Sequence, residues 1–438
     1  MEWWAVIILF FVLLMVFVMI GFPVAFAFLA VNMILVIIFI NFDSGMQTLV
    51  LSAFRSLGSF TLTPIPLFIL MGEVLFHSGL VMKLLDVLSR WMGRIPSRLS
   101  ILTMASGTMF AALSGSAVAN AAMLGSSMVP EMQKRGYHLK MSVGPILGAG
   151  SLATIIPPST TAILLGGLGG ISVGDLLIGG ILPGLLLATL MIVYFMVIGA
   201  FDSSLAPKYE VEKSSWKERI RGLIFDAFPL LGLIFLVVWL IFSGFATPTE
   251  SAAIGALGAL ILPALYGKLN KDVIKKTMIG TIKVSGMILL ILAASAGFSQ
   301  LLAFTGATSG LVNAVLSLDT APILSIIGML LIVLILGTFI EPISILMITT
   351  PLFIPVVFAL DFDLVWFGIL VLICLGIGNI TPPFGLLLFV IRGVLPSDVS
   401  MKEIYKSVMG VITVSLCGVI IIMVFPEIVT WLPSVGSE

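Results

Sequence analysis

The sequence is short of the residues on which enzymes and metal centres most often depend. Only 2 histidines and 2 cysteines occur among 438 residues. No His-Glu-x-x-His motif is present, and neither histidine lies among the hydroxyl clusters of the apolar segments. Cys374 and Cys417 both lie within apolar runs, where we interpret them as small hydrophobic side chains. The sequence therefore argues against an enzyme such as an intramembrane hydrolase.

Charge is scarce as well. Charged residues make up 10% of the chain, and 21 basic residues balance 21 acidic ones, so nothing favours nucleic-acid binding. Hydrophobic residues, in contrast, make up 60%. No soluble core of this size could bury so much apolar surface, and the composition predicts an all-α polytopic membrane protein. Because the first apolar run has no basic region before it, we expect it to form spans rather than a signal peptide.

Apolar segments long enough to cross a bilayer recur along the chain. A helix needs about 20 apolar residues to do so. This length predicts ten transmembrane helices near residues 3–20, 22–40, 64–80, 140–168, 176–200, 224–243, 249–266, 284–303, 365–391 and 407–425. Two other apolar stretches, 99–131 and 322–359, are long for one helix and short for two crossings. Each is typical of a re-entrant hairpin.

The basic residues predict the orientation of these elements. They flank the first hairpin on both sides, at Lys83, Arg90, Arg94, Arg98, Lys134, Arg135 and Lys140. The positive-inside rule therefore places both ends of that hairpin in the cytoplasm. Counting onward by alternation, every basic residue except Arg55 is cytoplasmic and both termini are periplasmic. Asp319, Asp361 and Asp363 flank the second hairpin without Lys or Arg, so it enters from the opposite face.

The order of elements repeats. Three spans, a hairpin, a broken helix and one span occupy residues 1–223, and the same order follows in 224–438 with the opposite orientation. The broken helices, near 140–168 and 365–391, each contain a Pro-Pro pair. Pro130 to Pro157 and Pro355 to Pro382 are both 27 residues apart. Inverted repeats with interrupted helices at matching positions indicate a secondary transporter.

The interruptions put polar atoms inside apolar segments, where unwound backbone is tolerated only if it is buried or lines a cavity. Neutral oxygens there suit Na⁺, and the C-terminal ends of half-helices add negative potential. The predicted Na⁺ ligands are Ser114, Ser116, Asn120, Ser151, Thr154, Gly337, Thr338, Glu341, Gly378, Asn379 and Thr381.

Half-helix N-termini beside these breaks favour a carboxylate. The predicted substrate contacts are Pro157, Pro158, Ser159, Ser344, Pro382 and Arg392. We therefore expect Na⁺ as the coupling ion, an organic anion as the substrate and no organic cofactor. Consecutive prolines enforce each break, because a helix interior cannot absorb two missing donors.

Structural interpretations of the same residues stay open. Serine and threonine hydroxyls in membrane helices often bond to their own backbone. Glu341 either faces a ligand or caps the helix that begins at Pro342. The positive-inside count already accounts for Arg392, and for Glu73 and Glu250 a structural role is favoured.

One segment is amphipathic. Leu84, Val87, Leu88, Trp91 and Met92 recur at helical spacing, and Lys83, Asp86 and Arg90 lie on the other face. This pattern predicts a helix in the cytoplasmic interface that braces a moving unit or serves as a surface connector.

Several motifs together resemble the large membrane subunit of tripartite ATP-independent periplasmic (TRAP) transporters. They are Pro66-Leu-Phe-Ile-Leu-Met-Gly-Glu73, Phe110-Ala-Ala-Leu-Ser-Gly-Ser116, Pro130-Glu-Met-Gln-Lys-Arg-Gly-Tyr137, Gly144-Pro-Ile-Leu147, Thr247-Pro-Thr-Glu-Ser-Ala-Ala253 and Thr381-Pro-Pro-Phe-Gly385. The resemblance implies an elevator-type transporter of the bacterial inner membrane, in which the hairpins and broken helices move past a scaffold made of the remaining spans.

The resemblance also implies partners and a substrate class. The partners are a small four-span membrane subunit and a periplasmic substrate-binding protein, and the substrate is an organic acid such as a C4-dicarboxylate or sialic acid. Many members have asparagine where this chain has Leu387, so the particular acid stays open. Two other classes remain in view: a stand-alone Na⁺/dicarboxylate symporter, and a channel, which hairpins from both faces disfavour.

Overall fold

The computed structural model describes residues 2–93, 95–207, 215–318, 320–396 and 399–436, with the side chain of Ser114 left out. Arg94, Lys208, Lys213 and Asp319, which entered the orientation argument, lie outside the described residues. Within the described ranges every regular element is helical and none is a strand. The prediction of an all-α protein is confirmed for this part of the chain.

The helices of the first half are α1 (Trp3–Met19), α2 (Val24–Phe39), α3 (Phe42–Leu57), α4 (Pro64–His77), α5 (Leu80–Trp91), α6 (Arg98–Ser114), α7 (Ala117–Lys134), α8 (Leu139–Ser151), α9 (Thr160–Gly169), α10 (Val173–Gly179) and α11 (Ile181–Phe201). Those of the second half are α12 (Trp216–Gly222), α13 (Phe228–Phe242), α14 (Pro248–Leu265), α15 (Lys271–Phe304), α16 (Ala307–Leu316), α17 (Pro322–Gly337), α18 (Pro342–Ala359), α19 (Leu364–Gly378), α20 (Leu386–Val394), α21 (Met401–Val424) and α22 (Glu427–Gly436).

Fewer helices than predicted reach full spanning length. Seven helical segments of the described ranges are long and apolar enough to cross a bilayer, against the ten predicted spans. The broken helices fall short because each is interrupted, and α1 and α2 have only 17 and 16 residues. One of the seven is α18, which we predicted as an arm of the second hairpin.

Helix α3 is absent from the sequence-based prediction. Asp43, Ser44 and Arg55 lower its hydropathy, but Asn41 starts it by accepting a hydrogen bond from the Ser44 amide at 3.0 Å. Helix α15 similarly begins 13 residues before the predicted start at 284, because its first turns are rich in lysine. Amphipathic and basic helices of this kind escape a search for apolar runs.

The helices are interrupted at the predicted polar stretches. Gly115, with φ +58°, separates α6 from α7, and residues 338–341 separate α17 from α18. A short 3₁₀ turn, Leu152–Thr154, ends the helical run of α8 before α9 begins at Thr160. The second broken helix stops at Gly378 and resumes at Leu386. Both Pro-Pro bonds are cis.

The helices pack in two groups. In one group Phe10 of α1 stacks on Phe298 of α15 at 3.8 Å, and α14 packs on α4. In the other, the hairpins surround α8 and α19. We assigned α11 and α21 to the scaffold, but they pack on α8 instead, where a Cβ on Gly144 would lie 3.1 Å from the ring of Phe195 and 3.2 Å from the Ser407 carbonyl. Small residues of α8 make that close approach possible.

Candidate cation and substrate site

The tip of the second hairpin touches the break in the second broken helix. Gly337 ends α17 and Gly378 ends α19. A Cβ atom placed on Gly378 would lie 2.6 Å from the Cα of Gly337, and one on Gly337 would lie 2.8 Å from the Cα of Gly378. Only glycine fits at either position, because any side chain would collide with backbone.

The two broken helices also touch each other. A Cβ on Gly376 of α19 would lie 2.3 Å from the Ser151 carbonyl oxygen and 2.8 Å from Thr154 Oγ1. The Thr154 hydroxyl donates a hydrogen bond to the Leu372 carbonyl at 2.9 Å. This bond joins the two halves of the chain, and it brings the C-terminal ends of α8 and α19 together.

The tip of the first hairpin completes the contact region. Thr160, the first residue of α9, donates its hydroxyl to the Gly115 carbonyl at 3.4 Å. A Cβ on Gly150 would lie 3.1 Å from the side chain of Leu387 and 3.6 Å from the Ala117 carbonyl. All four predicted interruptions therefore adjoin one another, although they are separated by up to about half of the chain.

Three predicted site residues in this region carry buried oxygens without a hydrogen-bond partner among the described residues. These atoms are Asn120 Oδ1, Ser344 Oγ and Asn379 Oδ1, and the side chains are 0%, 0% and 2% exposed. The Asn120 amide nitrogen donates to the Gly107 carbonyl at 2.9 Å, which fixes the orientation of its oxygen. A buried oxygen without a partner costs about 1–3 kcal/mol, so such atoms call for a ligand.

Other predicted Na⁺ ligands have structural partners. The hydroxyls of Ser151, Thr338 and Thr381 donate to backbone carbonyls of their own helices at 2.7, 2.8 and 2.7 Å. Ser116 accepts a bond from the Ala119 amide and thereby caps α7. These contacts match the structural interpretation of hydroxyls in membrane helices, and each oxygen keeps a lone pair that can accept a cation.

Glu341 does not act as a cap. It occupies the position before α18 and is half-buried, but its side chain makes no capping hydrogen bond. The carboxylate therefore adjoins the tip of the second hairpin without the structural duty that was its alternative interpretation. Ser114 ends α6 beside the other tip, and its side chain lies outside the described residues.

The predicted substrate contacts do not all lie together. Ser159 donates to the Thr154 carbonyl at 2.6 Å and caps α9 at the first break. Pro157 and Pro158 border a small apolar cavity with α10 and α13, and Pro382 is half-buried at the second break.

Arg392 is the exception among these residues. It lies six residues beyond the start of α20, about 9 Å along the helix. Its guanidinium donates to the Pro396 carbonyl at 3.0 Å. This position at the distal end of α20 disagrees with a substrate contact at the break.

Sequence reasoning missed two features of the region. Gly376 provides the approach of α19 to α8, and its spacing from Gly378 was a signal for close helix packing. The rings of Phe339 and Phe384, 5.6 Å apart and both exposed, connect the second hairpin tip to the second break. A pair of aromatic residues 45 positions apart has no local signature in an apolar sequence.

Residues 11–428 match the family described as the DctM component of the tripartite ATP-independent periplasmic transporter. The chain belongs to this family. The resemblance seen in the sequence motifs is thereby confirmed, and a DctM component is the large permease of a secondary transporter. Membership also places the chain among multi-pass membrane proteins that work within a tripartite system rather than among enzymes.

Relatives within the DctM family carry different substrate names. The C4-dicarboxylate TRAP transporter large permease protein of Vibrio cholerae is 30% identical, and the match covers 97% of each chain. The sialic acid TRAP transporter large permease protein of the same organism is 26% identical over 94% of this chain and 95% of its own length.

A solved structure shares the fold of this DctM component. The YdaH transporter of Alcanivorax borkumensis superposes with a TM-score of 0.62, covers 96% of this chain and 98% of its own, and is 14% identical in sequence. At this identity the likeness concerns the arrangement of helices alone.

Proposed function

We propose that this DctM component is the membrane-embedded transport subunit of a Na⁺-coupled, binding-protein-dependent importer of organic acids. The observation that carries the proposal is the set of three buried oxygens without partners at the adjoining breaks, on Asn120, Ser344 and Asn379. Amide and hydroxyl oxygens suit a hard monovalent cation. The converging C-terminal ends of α8 and α19 add negative potential that favours the cation further.

The same region supports an anionic substrate. Helices α7, α9, α18 and α20 all begin at the breaks, so their N-terminal ends direct positive potential toward this region. Carboxylates are the natural occupants of such ends. C4-dicarboxylates and sialic acid, which name two relatives, both carry this group, and we propose an organic acid of this kind as the substrate.

The packing supports an elevator mechanism. The hairpins, the broken helices and the associated α11 and α21 would move as one unit, and α1–α4 with α13–α15 would form the scaffold. We propose that a small four-span subunit completes the scaffold side in the inner membrane and that a periplasmic protein delivers the substrate. The alternative from the same superfamily is a symporter that needs neither partner.

Uptake into proteoliposomes tests the proposal. The purified chain is reconstituted alone and together with a candidate small subunit and binding protein, and radiolabelled succinate and sialic acid are offered under an inward Na⁺ gradient. We expect uptake only in the complete mixture and only with Na⁺. Uptake by the chain alone would favour the stand-alone symporter, and uptake unchanged when K⁺ replaces Na⁺ would refute cation coupling.

A further inference from the structure

A basic cleft lies far from the helix breaks. It is a cavity of about 560 Å³ between the amphipathic helix α5, the short helix α12 and the end of α14. Lys83 and Arg90 of α5 and Arg221 of α12 line it, together with Asp226 and Tyr266. Neither the proposed transport site nor the family match accounts for this cleft.

Within the cleft, one basic side chain is neutralised. Lys83 Nζ lies 3.0 Å from Asp226 Oδ1 and 4.6 Å from the centre of the Tyr266 ring. This ion pair and cation–π contact tie α5 to the turn that leads into α13. Lys83 therefore has a structural role and contributes little net charge to the cavity.

Two guanidinium groups remain available. In the part of the chain that the structure describes, Arg90 and Arg221 make no hydrogen bond or ion pair, and both side chains are exposed to the cavity. The other carboxylate at the cleft, Glu218, is engaged in a capping box and accepts from the Ser215 amide at 3.0 Å. The cleft thus presents two arginines without an anion to pair with them.

The surroundings place the cleft at the level of lipid head groups. The rings of Trp91 and Trp216 lie 5.5 Å apart beside it, and Trp91 Nε1 donates to the Arg219 carbonyl at 3.3 Å. Trp216 and Phe225 are 64% and 60% exposed. Tryptophan and tyrosine concentrate at membrane–water interfaces, and the basic residues assign this one to the cytoplasmic side.

We propose that this cleft binds the phosphate of an anionic phospholipid head group, with Arg90 and Arg221 as its ligands. Arginine binds phosphate oxygens through two parallel N–H donors. Basic pockets between membrane helices on the cytoplasmic side are suited to such head groups, while the neighbouring aromatic rings contact the acyl chains. Since Arg90 precedes the first hairpin and Arg221 precedes α13, the lipid would link the two groups of helices.

Native mass spectrometry of the purified full chain tests the proposal. The chain is titrated with phosphatidylglycerol and with phosphatidylcholine of the same acyl chains. We expect a preference for phosphatidylglycerol, which the double variant Arg90→Gln/Arg221→Gln loses by about tenfold in affinity. The control variant Lys402→Gln/Lys406→Gln removes the same charge at exposed positions outside the cleft and should retain the preference.

The remaining outcomes decide against the proposal. Equal lipid affinity of the wild type and the arginine variant would remove these residues as ligands, and equal loss in the lysine variant would show a general charge effect. Displacement of the lipid by inorganic phosphate, but not by chloride, would identify free phosphate as the occupant. An unchanged gel-filtration profile of each variant confirms that it is folded.

Discussion

At the scale of single residues, two asparagines illustrate how a predicted site acquires a defined chemistry. Both lie in apolar segments, where a buried amide demands partners. Asn120 satisfies its nitrogen with the Gly107 carbonyl, whereas the oxygens of Asn120 and Asn379 have no partner among the described residues. An amide held in this way is oriented for a cation and pays no cost of rearrangement when the cation binds.

Replacement of Asn379 by alanine tests this role. We expect Asn379→Ala to raise the Na⁺ concentration for half-maximal uptake about tenfold, equivalent to about 1.4 kcal/mol of lost binding. Thermal stability without Na⁺ should change little, because the oxygen that is removed has no protein partner. Asn313→Ala, at an exposed amide of α16, is the matched control. An unchanged Na⁺ dependence would remove Asn379 from the cation site.

At the scale of elements, the breaks work through contact rather than through unwinding alone. Helix α17 meets α19 at a pair of glycines, and α19 meets α8 at Gly376. These approaches allow no side chain, so they set the distance between the hairpin tip and the two half-helices. A hairpin tip displaced by even one methyl group would separate the oxygens from which a cation site is built.

The glycine pair provides a test with an internal control. Gly378→Ala would place its Cβ 2.6 Å from the Gly337 backbone, and we expect uptake to fall at least about tenfold as the tip is displaced. Gly328→Ala in α17 meets no atom within 4 Å and should retain uptake. Initial uptake rates, normalised to the amount of reconstituted protein, give the comparison. Normal uptake by Gly378→Ala would show that the tip does not need this contact.

The hydrogen bond between the broken helices gives a second prediction at this scale. Thr154→Val removes the bond to the Leu372 carbonyl and should lower the free energy of unfolding by about 1 kcal/mol. Thr349→Val is the control, since Thr349 is equally buried but bonds only to Ile345 of its own helix, at 2.8 Å. Melting temperatures in detergent measure both. An equal loss in the two variants would mean that the link between the halves adds nothing.

At the scale of the whole molecule, orientation depends on the distribution of charge. All the basic residues except Arg55 are assigned to one side, and acidic residues flank the second hairpin. This arrangement determines which ends of the broken helices open toward each compartment, and hence the direction from which a periplasmic partner would deliver substrate.

Thiol labelling tests the orientation. In a background with Cys374 and Cys417 replaced by alanine, single cysteines are introduced as Ser317→Cys, before the second hairpin, and Lys402→Cys, at the start of α21. We expect a membrane-impermeant maleimide to label the first in intact cells and the second only after permeabilisation. Both side chains are exposed. The reverse pattern would overturn the orientation.

Much of the architecture could be read from local signals. Apolar runs locate most helices, and small polar residues or Pro-Pro pairs interrupt them at the positions where the structure breaks. Helix α3 and the start of α15 escaped because their polar residues mask them from hydropathy. Arg392 was misjudged since a sequence does not show how far a side chain lies from the break that precedes its helix.

By itself, the sequence determined the class of the protein, its family and the places where helices must stop, because hydropathy, proline chemistry and motifs act over short distances. Only the tertiary structure decided which breaks touch, which oxygens remain without a partner and that α11 and α21 pack on α8. Those outcomes depend on close approaches at Gly144, Gly376 and Gly378 between segments up to about 270 residues apart. Such contacts arise from the packing of the whole chain, and no local pattern specifies them.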